Sequence, residues 1–254
     1  MRKLILILFI LLSCASLANS GGIISFPGGG VPSGAAFDCA PYASACQQLE
    51  AVGYDNGESW DDTTSANDAI INPDYAVTPI AGGQSLYMLD DGVDGHTFLA
   101  FSAHADGTTT GVFFQIRIDI DTSESPYIVL LYDWSTSAGT IRLMSDGMLD
   151  VSNGTQDSGG SIDVSGGGVF DVWYDWRKST GGDNGIANIA VCAHASCNGV
   201  RPANNVTLNW GDSTLTGIDQ IYFSTGGTTT EIIYDTILVD TEPIGNVPNI
   251  PAAE

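Results

Sequence analysis

The middle of the chain alternates apolar and polar residues at period two, in short runs bounded by Gly, Asp, Asn and Ser clusters. This pattern predicts strands over Ser85–Leu89, Thr97–Ala103, Gly111–Ile120, Tyr127–Trp134 and Thr140–Ser145. Further strands are predicted over Val169–Lys178, Gly185–Ala193, Asn205–Trp210, Ile218–Ser224 and Glu231–Asp240. Asp90-Asp91-Gly92, Ser145-Asp146-Gly147 and Gly181–Gly185 supply turn chemistry between them. The Gly-rich stretch from Gly154 to Gly168 reads as a long loop. No segment has convincing helical periodicity and no repeat has a fixed period. Many short strands with frequent turns predict an all-β, two-sheet antiparallel sandwich.

The ends of the chain have a different character. Arg2 and Lys3 precede an unbroken apolar run from Leu4 to Leu12, and small residues follow. That run falls short of the ~20 residues a membrane-spanning helix needs, so residues 1–18 read as a secretory signal. Leu11-Leu12-Ser13-Cys14 also resembles a lipoprotein box, which would anchor the chain through Cys14. Residues 19–38 are rich in Gly, Pro and Ser and read as a tether. The sandwich is then expected over 39–242, with an irregular tail over 243–254.

Export changes the reading of the cysteines. Past the leader they number four: Cys39, Cys46, Cys192 and Cys197. An even set in an oxidising compartment predicts disulfides, and the local spacing favours Cys39–Cys46 and Cys192–Cys197 among three connectivities. Neither pair is a CxxC, which argues against zinc.

Charge narrows the partners. Acidic residues number 30 against 7 basic, a formal net charge of −23. Such a surface repels phosphate backbones, anionic membranes and sulfated glycans, so nucleic acid is excluded as a partner.

Three strands carry candidate chemistry. On Val169–Lys178, Phe170, Val172, Tyr174 and Trp176 share one parity and read as core. Asp171, Trp173, Asp175 and Arg177 share the other, and a Trp among polar neighbours can stack on a sugar ring while they hydrogen-bond its hydroxyls. Phe113, Gln115, Arg117 and Asp119 form a comparable face. On Glu231–Asp240, simple alternation places Asp235 with Ile233, Ile237 and Val239 on an apolar face. An ionised carboxylate there is costly unless paired or metal-bound. Basic partners are scarce, so calcium is the expected solution, with Glu50 and Asp55 as further oxygen ligands. Asp119, Asp121 and Glu124 approximate a jelly-roll glucanase signature, but the first position is Asp and Pro126 ends the strand early. Asn153-Gly154-Thr155 and Asn205-Val206-Thr207 are glycosylation sequons.

Several short motifs carry a family likeness. They are Leu49-Glu50 with Gly53-Tyr54-Asp55 and Trp60, then Gly82–Tyr87, Phe170–Tyr174 and Tyr234–Val239. With these motifs the chain resembles the concanavalin A-like and laminin G-like jelly rolls, including their MAM-like and carbohydrate-binding variants. The resemblance implies a jelly-roll fold and a structural calcium held partly by the opening Glu50 and the late-strand Asp235. The expected function is a secreted, non-catalytic, lectin-like module for a neutral glycan or cell-surface polysaccharide. A jelly-roll glycoside hydrolase or lyase and a structural surface or particle protein are the alternatives.

Overall fold

The computed structural model describes residues 45–47, 62–65, 70–75, 77–80, 85–89, 95–100, 109–119, 125–133, 136–153, 157–180, 185–210, 218, 220–224 and 231–247. The signal segment, Cys14, Cys39, Glu50, Asp55, Asp121 and Glu124 lie outside them, as does the tether. The described strands are β1 (Ala45–Gln47), β2 (Asp62–Ser65), β3 (Ile70–Tyr75), β4 (Ser85–Leu89), β5 (Gly95–Ala100), β6 (Thr110–Asp119), β7 (Tyr127–Asp133), β8 (Thr136–Leu143), β9 (Met148–Ser152), β10 (Ile162–Asp163), β11 (Gly168–Arg177), β12 (Gly185–Ala193), β13 (Val206–Trp210), β14 (Gln220–Ser224) and β15 (Glu231–Asp240). One helical turn, α1 (His194–Cys197), follows β12 directly.

The strands form two antiparallel sheets with jelly-roll connectivity. One runs β13-β12-β11-β6-β15-β4-β3, and β1 pairs with the part of β15 that β4 leaves free. The other runs β10-β9-β8-β7-β14-β5-β2. The core lies between them. Phe114, Ile116, Val172, Tyr174, Trp176, Ile189 and Tyr234 face Val129, Leu131, Ile141, Leu149, Val151, Ile221 and Phe223, all essentially inaccessible. Each such side chain contributes about 1.5–3 kcal/mol by leaving water. Phe170, Val172, Tyr174 and Trp176 all belong to this core, as their parity predicts.

Two departures from simple alternation shape the molecule. Asp150-bearing β9 and the two-residue β10 arise inside or beside what reads as loop, because their apolar residues Leu149, Val151, Ile162 and Val164 are too few to register as a run. In β15 a bulge inserts one residue opposite β6. Asp235 pairs with Gln115, but Leu238 pairs with Phe113. Parity reverses there: Ile232 and Tyr234 point into the core before the bulge, and Ile237 and Val239 after it. Asp235 therefore shares its outer face with Ile233, not with Ile237 and Val239. The bulge is made at Thr236, whose φ is 47°. A β-branched residue in the left-handed region is strained, at a cost of about 1–3 kcal/mol.

Candidate functional site

The outer face of the eight-stranded sheet carries the side chains that β11 presents opposite the core. Trp173 is fully buried there, so the expectation that it offers an open stacking surface is corrected. It packs with Phe113, Ala190, Leu238, Ile244 and Val247 in a second apolar cluster, its ring centroid 4.9 Å from that of Phe113. Its Nε1 donates to the carbonyl of Gly245 at 2.8 Å. The cover comes from residues 241–247, which have no regular element but cross the sheet as a strap. Val247 N–H donates to Gly199 O at 2.8 Å, and the Arg201 guanidinium donates to Ile244 O at 2.7 Å. Gly111 lies under the strap, where a Cβ would come within 2.2 Å of Glu242 O.

The polar partners of Trp173 are committed to structure as well. Asp175 forms an ion pair with Arg201 at 2.5 Å. Asp171 is buried and accepts from Gly199 N–H at 2.8 Å and from Gln115 Nε2 at 3.1 Å, with His194 Nδ1 2.9 Å away. Arg177 is partly buried and also has partners. Asp171, Trp173, Asp175 and Arg177 therefore share a parity without forming an open sugar-binding surface. The reason is tertiary: period two tells which residues leave the core, but not whether a distant segment returns to cover them.

Cys192 and Cys197 are joined, with Cα atoms 6.3 Å apart. The bridge closes the turn at α1 that brings His194 and the Gly199 amide to Asp171. Cys46 lies on β1, but its side chain is outside the described set, so a bond to Cys39 is not placed.

Asp235 is buried, as expected, and finds its partners within the protein. Ser85 Oγ donates to Oδ2 at 2.6 Å, and Thr236 N–H donates to Oδ1 at 2.6 Å. Both carboxylate oxygens thus have donors within the protein, and the burial of Asp235 does not by itself call for a cation. Scarcity of Lys and Arg motivated the metal; a hydroxyl and a strained backbone amide supply the compensation.

The outer face of the seven-stranded sheet is different. A cleft of about 380 Å³ opens there, lined by Tyr127, Leu130, Tyr132, Ser137, Thr140, Arg142, Asp150, Ser152 and Asp157. These are the outward parities of β7, β8 and β9, plus one residue from the following loop. Tyr127 is 41% exposed. Tyr132 packs at a tilt against Tyr222 of β14 with ring centroids 4.9 Å apart. Arg142 lies 5.8 Å from the Tyr127 ring centroid and 3.8 Å from Asp150. Its Nε is buried without a protein acceptor, so the guanidinium is not fully engaged by the fold.

Two carboxylates meet at one edge of this cleft. Burial alone would push the Asp150 carboxyl up, but hydrogen bonds from Asp157, Ser158 and the Gly160 N–H, with Arg142 nearby, hold it below the ordinary aspartate range. The hydrogen bond to Asp150 pushes Asp157 up. The two carboxyls are thus pushed in opposite directions by the same contact. Two carboxyls in direct hydrogen bond are closer than the ~5 Å or more that flanks a scissile glycosidic bond.

A second concavity, of about 530 Å³, is lined by Thr78, Arg117, Ile118, Glu231 and the turn Ser165–Gly168, with no aromatic ring. Arg117 is tied there to the carbonyl and hydroxyl of Thr78.

No family model matches the chain, and no curated protein does. Solved structures share its fold. A sialidase superposes with a TM-score of 0.55 at 13% identity, over 78% of this chain and 18% of that one. The botulinum neurotoxin serotype C1 binding domain does so with a TM-score of 0.53 at 13% identity, over 82% of this chain and 50% of that one. The binding domain of botulinum neurotoxin DC in complex with SialylT gives 0.51 at 14% identity, over 78% of this chain and 48% of that one. The chain thus spans half or less of each of these proteins, and the likeness is one of fold. Among the described residues, no helix is long and apolar enough to cross a membrane.

Among the cleft residues, Tyr132 and Arg142 carried a sequence signal. Each falls in a predicted strand at the parity opposite its core neighbours Leu131 and Ile141. Asp150 and Asp157 had none, because β9 was not legible and Asp157 lies in the loop after it.

Proposed function

We propose that this protein is an exported carbohydrate-recognition module that holds a neutral glycan across the outer face of the seven-stranded sheet. The observation that carries the reading is the open cleft itself, in which Tyr127 and Tyr132 present ring surface beside Arg142, Asp150 and Asp157. Sugars combine apolar C–H faces with rings of hydroxyls, and tyrosine rings flanked by fixed donors and acceptors match both. Ser137, Thr140 and Ser152 add hydroxyls along the same floor. The negative net charge favours an uncharged glycan over a sulfated one. The shared fold with neurotoxin binding domains, one of them solved with SialylT, supports the reading without carrying it.

Hydrolysis is a weaker reading, because the Asp150–Asp157 pair is bonded to itself rather than spaced around a sugar bond. The calcium expected with Glu50, Asp55 and Asp235 is not part of this proposal, since the carboxylate that motivated it is satisfied by Ser85 and Thr236. Export rests on the leader and on the Cys192–Cys197 bridge.

An array of neutral glycans tests the reading, probed with the wild-type protein and with Tyr132→Ala. Binding by the wild type that Tyr132→Ala loses is the expected result. Absence of glycan binding, or binding indifferent to Tyr132, would overturn it.

A further inference from the structure

We propose that Thr236 and Gln115 form an intramolecular ester that ties β15 covalently to β6. The two side chains meet on the strap-covered face, independent of the glycan cleft. The Thr236 hydroxyl donates to Gln115 Oε1 at 2.8 Å, and the residues are 0% and 1% exposed. Gln115 is fixed between two partners of opposite chemical use: its Cα pairs with Asp235 on one neighbouring strand and with Asp171 on the other.

A nucleophile, a base and a partner for the leaving nitrogen are gathered here. The nucleophile is the Thr236 hydroxyl, held against the amide by a bulge that forces a β-branched residue to φ 47°. Strain of this kind, at a position where glycine is the usual residue, marks a constraint other than folding. The base is Asp235, whose Oδ1 is 3.3 Å from Thr236 Oγ1. Ser85 Oγ and the Thr236 amide hold that carboxylate in orientation. The leaving nitrogen is Gln115 Nε2, 3.1 Å from Asp171 Oδ1 and 3.2 Å from His194 Nδ1. In the tautomer with its proton on Nδ1, His194 donates to Asp171 at 2.9 Å and keeps that proton beside the departing amine. The quarter of the His194 side chain that is exposed gives the site a route to solvent protons.

The step balances without any further reagent. Thr236 Oγ1 attacks Gln115 Cδ as Asp235 takes the hydroxyl proton. The Cδ–Nε2 bond breaks, the nitrogen is protonated by way of His194 and Asp171, and ammonia leaves. The Oγ1–Cδ ester bond remains, and nothing is oxidised or reduced. Burial excludes the water that would hydrolyse the product.

Intact mass of the purified, reduced and denatured wild-type chain reads the outcome directly. The expected mass is about 17 Da below that of the unmodified chain, the loss of one ammonia. Peptide mapping should give a branched species joining the Gln115 and Thr236 peptides, split by hydroxylamine as esters are. Thr236→Val should restore the full mass. His194→Ala, which keeps both reacting groups, should slow the appearance of the deficit in a time course after synthesis. A wild-type chain that stays at full mass with a linear Gln115 peptide after prolonged incubation overturns the proposal. So does a deficit that persists in Thr236→Val.

Discussion

The two outer faces of the sandwich are built from the same alternation yet end in opposite states. On the eight-stranded sheet, Trp173 and Phe113 are covered by the strap over Ile244–Val247, and the polar residues around them are paired with one another. On the seven-stranded sheet, Tyr127, Tyr132 and Arg142 line a cleft. The covered face contributes stability, and the open face is the one available for the proposed recognition. The difference lies in where the C-terminal segment travels.

The sharpest way to break that comparison is to truncate one aromatic on each face. Trp173→Ala is expected to cost about 3–5 kcal/mol of stability, as loss of a buried indole does. Tyr132→Ala is expected to cost about 1–3 kcal/mol of glycan affinity, by analogy with aromatic stacking platforms, with a much smaller change in melting temperature. Chemical denaturation and calorimetric titration of the same pair of variants check both halves. Equal destabilisation by the two substitutions would erase the distinction between the faces.

The strap itself comes next. Gly111→Ala would place a Cβ 2.2 Å from the Glu242 carbonyl, so the strap must lift. Overpacking of this kind costs about 1–3 kcal/mol. Red-shifted, quenchable tryptophan fluorescence would report the uncovering of Trp173, and an unchanged spectrum would count against the strap's role.

Arg142→Ala sharpens the open face. Its ion pair with Asp150 is 3.8 Å long and partly exposed, so folding should lose no more than about 1 kcal/mol. Glycan affinity should fall by roughly tenfold, the worth of a hydrogen bond to a charged group. A titration showing intact affinity would remove Arg142 from the site.

Asp157→Asn should have the smallest effect, and one with a definite sign. The folded-state pKa of Asp157 is raised by its hydrogen bond to Asp150, so its contribution is present at low pH and is lost as pH rises through that pKa. The pKa of Asp150 is lowered, so its contribution is present at neutral pH and is lost as pH falls through its folded value. Asparagine keeps a donor to Asp150 without the second charge. The variant should therefore melt higher at neutral pH, by about 1–3 °C after allowance for solvent screening, and the gain should shrink in acid. Melting curves across pH 3 to 7 (a range chosen as roughly spanning carboxylate titration) check the sign, and a gain that grows in acid would count against a raised Asp157 carboxyl.

The alternation of the strands was legible because a sheet with one face on a core must repeat at period two. Ser85–Leu89, Gly185–Ala193 and Glu231–Asp240 have the bounds that this pattern predicts, and Phe170, Val172, Tyr174 and Trp176 all enter the core. The Cys192–Cys197 bridge is one of the two local pairs that the leader and the spacing together favour among three connectivities. Three things were decided by tertiary structure. A single bulge at Thr236 reversed the parity of β15, which no count of alternating residues reveals before the partner strand is known. A strap about 70 residues downstream in the chain buried Trp173 through Gly245, Ile244 and Val247. And the cleft drew Asp150 and Asp157 to Arg142 from a stretch whose apolar residues are too sparse to mark a strand. Period two is local and is written in the chain; which face a distant segment covers depends on contacts that no window of residues contains.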